Sequence, residues 1–287
     1  MGPSRARLDG GREHWQHGPI DLIIDAWGDE VAVHRAYEAA WLRFQGLLAE
    51  LVDELPLLRS PASSQAIPNG LIARRMVAAT LLFAPEFITP MAAVAGSVAE
   101  EVCEFFAVEP GIRRACVNNG GDIAIHLAPG ENMIIGIVAN AYTPELDGGI
   151  ALSSEMNVRG IATSGWRGRS FSLGIADSVT VLARGAGQAD AAATMIANAV
   201  NAEHPAIVRA PANTRKDDSD LGARLVTIDV GPLPHAVRDA ALNAGWRAAE
   251  AHAARGLIAG AALALQGHWR TIGTGFRTAP PAVMLAA

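Results

Sequence analysis

The chain of 287 residues is half hydrophobic (50%) and only 18% charged, and its mean hydropathy is +0.20. Such a chain can bury a sizeable core. Its net charge is −6 and its basic residues are scattered, which excludes a nucleic-acid groove, because releasing counterions from phosphates needs clustered Lys and Arg.

Every basic residue but Lys216 is an arginine. Lysine-based chemistry is therefore excluded unless Lys216, in the polar stretch Asn213 to Asp220, supplies it. Cys103 and Cys116 have neither metal nor redox spacing and read as small buried hydrophobes in a reducing cell. The N-terminus has no apolar segment resembling a signal peptide. A bilayer span needs roughly 20 apolar residues. Pro85, Glu86 and Pro90 interrupt the apolar stretch 76–99, and 257–265 is too short, so a cytoplasmic chain without membrane contact is expected.

In chain order, the first dozen residues read as a loose arm or short hairpin, and 20–24 as a strand. Asp29 can cap a helix whose stripe is Val33, Tyr37, Ala40, Phe44, Leu47 and Leu51, closed by Pro56. An irregular connection follows over 59–70. Thr89-Pro90 then starts a helix, with Thr as cap, that runs to about Ala107. Strands are expected at 115–118, 122–127, 133–138, 149–152, 160–163, 170–173 and 178–183. A small-residue helix should cover 187–201, a polar loop 211–220, a strand 225–230 and a helix 233–255. A hairpin of 257–265 with 269–272 closes the pattern. The expected class is α+β, antiparallel sheets backed by helices.

Four segments carry polar groups that could do chemistry. In Asn118-Asn119-Gly120-Gly121-Asp122 the glycines let a backbone approach a ligand, while Asn and Asp give directional contacts; the same run is also an ordinary hairpin turn. Thr163-Ser164-Gly165, before Trp166-Arg167-Gly168-Arg169, offers phosphate or carbonyl contacts, or a hydrogen-bonded surface turn. Asp190 and Thr194 stand four apart on the small-residue helix, which puts a carboxylate and a hydroxyl on one face. Together they would give Mg²⁺ two of its oxygen ligands, though a lone helical Asp is usually just solvated. The run from Thr89 to Ser97 reads either as a site or as a tightly packed core helix.

Taken in order, Met91 to Gly96, Asn119 to Ile123, Ala162 to Gly165, Ser178-Val179-Thr180-Val181 and Ala189 to Thr194 resemble the ApbE family of Mg²⁺-dependent FAD:protein FMN transferases. With His17-Gly18-Pro19-Ile20-Asp21, the long Asn-Asn-Gly-Gly-Asp match looks like a short prokaryotic ApbE-like branch. The resemblance implies a duplicated T-fold-type architecture, a single domain of two similar halves at roughly 18–140 and 148–275, with the ligand between them. It also implies Mg²⁺ on Asp190 and Thr194, with a backbone carbonyl near Ala92 as third ligand.

Two departures stand out. The family's Lys-Gly is Ala95-Gly96 here, and its His-Ile-Ile-Asp-Pro-x-Thr-Gly segment is missing, only Leu173-Gly174-Ile175-Ala176-Asp177 lying there. Three functions stay open. The first is an ApbE-like enzyme or maturation factor that binds FAD or another flavin- or nucleotide-type ligand with Mg²⁺ and acts on a dedicated protein acceptor. The second is a hydrolase of a small heterocyclic amide, with Asp122 as general base and the Asn-Asn-Gly-Gly backbone as oxyanion site. The third is a non-catalytic flavin or nucleotide binder. Each is compatible with an oligomer.

Overall fold

The computed structural model describes residues 2–65, 67–137, 148–273 and 275–277. Two compact units divide the chain: residues 1–131, 157–162 and 182–192 form the first, and residues 132–156, 163–181 and 193–287 the second.

In the first unit, strands β1 (Ser4–Arg7), β2 (Glu13–His17), β3 (Ile20–Gly28), β4 (Ile112–Asn119) and β5 (Asp122–Leu127) lie side by side in that order, each antiparallel to the next. The start of β8 (Gly160–Ser164) pairs antiparallel with β5. Leu22 and Ile24 alternate with half-buried neighbours along β3, as a strand with one face on a helical layer requires. That layer holds α1 (Glu30–Asp53), the short α2 (Leu55–Leu58), α3 (Leu71–Leu81) and α4 (Val94–Ala107). α4 packs on β4 and β5, with α1 and α3 beside it.

Asp29 caps α1 as expected, its carboxylate accepting from the N–H groups of Val31 and Ala32 at 3.1 Å each. The apolar stripe of α1 is buried at Tyr37, Ala40, Phe44, Leu47 and Leu51, whereas Val33 lies outside the core. Trp15 is fully buried against Tyr37, Trp41 and Phe44, and its indole N–H donates to Glu13 at 2.7 Å. Glu13, itself 3% exposed, also takes the Arg5 guanidinium at 2.6 Å. The helices are tied by charge: the buried Glu101 of α4 meets Arg43 of α1 at 2.7 Å and Arg75 of α3 at 3.5 Å.

In the second unit β6 (Asn132–Ile137) pairs antiparallel with β7 (Gly148–Ser153), which pairs in turn with β14 (Phe276–Arg277). β10 (Ile207–Pro211) and β11 (Leu225–Val230) form a separate pair. β9 (Ser178–Ala183) neighbours β12 (Gly260–Leu265), which turns through Gln266-Gly267 into β13 (His268–Gly273) under α6 (His235–Ala254). The small-residue helix is α5 (Ala186–Ala199), which begins in the first unit and ends in the second. The α+β class with antiparallel sheets is therefore the observed one.

Several local expectations are corrected. Residues 170–173 are not a strand, because side chains take the backbone donors: Asn198 accepts from Leu173 N at 2.9 Å, and the Ser172 hydroxyl accepts from Gly174 N at 3.2 Å. Helix α3 carries no side-chain cap of its own. The Glu54 carboxylate receives Asn69 N and Gly70 N just ahead of it, at 2.8 and 2.6 Å. Thr89 does not cap the helix after it by its side chain. A 3-10 turn (Pro90–Ala93) comes first, and α4 follows. The end of the expected strand 133–138 lies outside the described residues.

Gly96 sits where α4 crosses the start of α5. A Cβ there would stand 2.2 Å from the Ala186 carbonyl oxygen, an atom of the backbone that no side-chain rotation removes. Gly96→Ala should therefore destabilise the protein by about 1–3 kcal/mol or more, the usual cost of overpacking, read as a fall in the urea midpoint. An unchanged midpoint would show that the two helices can part without loss.

Candidate functional site

The Asn-Asn-Gly-Gly-Asp run closes the β4–β5 hairpin. Asn119 opposes Asp122, and Gly120 and Gly121 bridge them with φ of +65° and +112°. Positive φ at both central positions is what a tight two-residue hairpin demands. Asn118 locks the turn by accepting from Gly121 N at 2.8 Å, so that N–H is already engaged. Asp122 is half-buried at the first position of β5.

Asn119 faces inward, 4% exposed. Its amide donates to the Ala95 carbonyl at 3.1 Å, and its side-chain oxygen accepts from Asp21 N at 3.4 Å. The hairpin end is thereby fastened to the first turn of α4. Asp190 of α5 reaches the same turn: Gly96 N donates to its carboxylate at 3.0 Å, and the Ala95 N–H supports it as well. The residue at the N-cap position of α4, Ala93, has no side chain that can accept, so the orphan N–H groups of that first turn are satisfied from another helix. The exchange is mutual. Glu100 of α4 accepts from Gly187 N in the first turn of α5 at 3.2 Å. Three segments singled out in the sequence, Met91 to Gly96, Asn119 and Asp190, are thus brought together in the first unit.

Burial pushes the Asp190 carboxyl up to about 7, against the downward pull of the Gly96 and Ala95 N–H groups. Among the described residues no Lys or Arg forms an ion pair with it. One turn later, Thr194 is half-buried and its hydroxyl has no hydrogen bond among the described residues. A carboxylate without a counter-cation and an unengaged hydroxyl on successive turns suit a hard cation that prefers oxygen. Ala92, in the turn ahead of α4, is the expected source of a carbonyl ligand. Among the described residues no three His, Cys, Asp or Glu side chains gather as a metal set, so a site here would rest on hydroxyl and main-chain oxygens beside Asp190. Cysteine chemistry has no place in it: burial raises the Cys103 thiol strongly and pushes Cys116 up to about 12.

In the second unit Thr163, Ser164 and Gly165 end β8. The Thr163 hydroxyl is 2.9 Å from that of Thr180 on β9, and Ser164 is half-buried. Trp166 N donates to the Ala176 carbonyl at 3.0 Å, and Gly168 N to the Gly165 carbonyl at 3.1 Å, which folds the following residues into a turn. Asp177 anchors this turn through the Arg167 Nε–H at 2.8 Å, the Trp166 indole at 3.2 Å and the Gln266 backbone N–H. Sequence reasoning treated Asp177 only as the remnant of a missing segment. Its position ten residues after Arg167 was the one available signal. Glu100 was missed as a cap because the N–H it receives belongs to a residue 87 positions away.

Antiparallel sheets, helices and a carboxylate-capped helix crossing define the class, an α+β protein with a polar helix start and a hydroxyl-rich strand end. The chain belongs to the family described as "AbpE bacteria", whose model matches residues 5–271. It is also similar to archaeal proteins named UPF0280: 37% identical over 193 residues to one from Methanosarcina barkeri, covering 66% of this chain and 73% of that protein. The likeness is 40% over 130 residues to one from Methanothrix thermoacetophila (45% and 52%), and 40% over 122 residues to one from Methanopyrus kandleri (42% and 47%). The matched stretch thus spans about half of the latter two relatives. Among the described residues no helix is long and apolar enough to cross a membrane.

Burial pushes the Asp190 carboxyl from the ordinary carboxylate range up to about 7 in the folded protein. Its contribution to stability is therefore complete below the unfolded value and lost as pH rises through the folded one. In EDTA, the melting temperature of the wild type relative to Asp190→Asn, which keeps an acceptor for Gly96 N, should fall between pH 4 and 7 and stay level above. A gap independent of pH would remove the raised carboxyl from the site.

Proposed function

We propose that this protein is an ApbE-like enzyme or maturation factor that binds a flavin- or nucleotide-type ligand together with Mg²⁺. Asp190 and Thr194 hold the metal, with the Ala92 carbonyl as third protein ligand. The observation that carries the reading is the Asp190 carboxylate, desolvated, without an ionic partner among the described residues, and oriented by two backbone N–H groups. Bound there, Mg²⁺ would supply charge neutralisation for a diphosphate and its leaving phosphate.

The chain's own residues prepare that position. Asn119 fixes the Ala95 carbonyl, and the first turn of α4 holds Asp190 in one orientation by its N–H groups. Substrate or water completes the coordination shell, because a carboxylate, a hydroxyl and a carbonyl fall short of the octahedron Mg²⁺ demands. The acceptor in a flavin transfer would be a dedicated partner protein, since Ala95 stands where the transferase family has its lysine.

Two measurements test the reading. Calorimetry with Mn²⁺ should show weak binding that tightens with FAD in the wild type and vanishes in Asp190→Asn; equal metal affinity in both proteins would overturn it. In an assay with FAD, Mg²⁺ and a generic acceptor peptide, little or no FMN should be transferred. Robust transfer would show that the groups missing from this chain are dispensable, and Asp122→Asn would then reveal whether Asp122 takes part.

A further inference from the structure

We propose that Arg167 is a phosphate-binding residue, presented by Trp166 and Asp177 at the end of β8. Asp177 accepts only the Nε–H of Arg167, at 2.8 Å, and the guanidinium lies 4.6 Å from the centre of the Trp166 ring. These two contacts fix the plane of the guanidinium from one edge and one face. The terminal NH1 and NH2 groups have no partner among the described residues, and the side chain keeps 38% exposure. A guanidinium held by its Nε and left open at its terminal nitrogens presents a planar pair of donors, which matches two oxygens of a phosphate.

The holder is itself rigid. The Asp177 carboxylate also receives the Trp166 indole N–H and the Gln266 backbone N–H, and Asp177 N donates to the Ala264 carbonyl of β12 at 2.9 Å. Gln266 is held in turn, its side chain accepting from Leu233 N at 3.1 Å and donating to the Gly231 carbonyl at 2.8 Å. The indole and backbone donors hold the Asp177 carboxylate in place without using the terminal nitrogens of Arg167. The neighbours suit an anion as well. Arg169 is exposed with no partner among the described residues, and the Ser164 hydroxyl is unengaged among them. In a chain of net charge −6, this turn places two arginines within three residues.

The inference goes beyond the reading above: it assigns an anion site within the second unit, and it needs no metal. The test is therefore a titration with inorganic pyrophosphate in EDTA, followed by calorimetry and by Trp fluorescence. Arg167→Gln should weaken binding by about tenfold or more, the scale of a charge-assisted hydrogen-bond pair. In the wild type, pyrophosphate but not acetate should slow phenylglyoxal modification of Arg167, read by mass spectrometry, which covers the case of an Arg167 variant that folds poorly. Equal affinity in a folded Arg167→Gln, no binding by the wild type, or unprotected Arg167 would each overturn the inference. Failure of the metal reading would appear separately, in the Mn²⁺ titration.

Discussion

The first unit depends on a mutual exchange of carboxylates between two helix starts. Asp190 on α5 accepts from the first turn of α4, and Glu100 on α4 accepts from the first turn of α5. Neither start is capped by its own sequence: Ala93 precedes α4, and α5 opens on Ala186-Gly187. Unpaired N–H groups in a buried turn cost the free energy of a lost hydrogen bond each. The pair of contacts removes that cost for both helices together, and only backbones that approach as closely as Gly96 allows can form it. Around this crossing the sheet supplies a floor and Asn119 supplies a fastener.

The same arrangement leaves room for a chemical role beside the structural one in a single side chain. As a cap, Asp190 needs one oxygen directed at Gly96. A carboxylate has about four lone-pair sites, so acceptance of backbone N–H groups leaves room for another electrophile. The helix start favours the ionised form while burial opposes it, and burial prevails. A cation would reverse the balance, because it supplies the opposite charge that the described surroundings lack.

Much of the fold was legible because the relevant signals are local. The stripe of α1 and its Asp29 cap, the strands 122–127, 178–183 and 225–230, and the hairpin about Gln266-Gly267 follow from periodicity and turn chemistry within a few residues. What was lost depends on distant partners. The chain just ahead of α3 is held at Asn69 N and Gly70 N by Glu54, from the far side of a loop. Residues 170–173 have the composition of a strand, but Asn198, on another element, takes the N–H of Leu173. In the candidate site, Asp190, Thr194 and the Gly-Gly turn could be picked out by type and spacing. That the Gly96 N–H is the partner of Asp190 could not be read, since no spacing rule joins residues 94 positions apart.

The N-terminal strand has a consequence for how the protein can be handled. Glu13 lies 3% exposed beneath the aromatic cluster, and its counter-charge comes from Arg5, on a four-residue strand at the beginning of the chain. Loss of that strand would leave the carboxylate facing Trp15 with only an indole N–H, and breaking one side of a buried pair costs about 3–5 kcal/mol. Fusion partners and affinity tags therefore belong on a spacer ahead of Ser4, and recombinant protein clipped between Arg5 and Glu13 should be regarded as a different, weaker material.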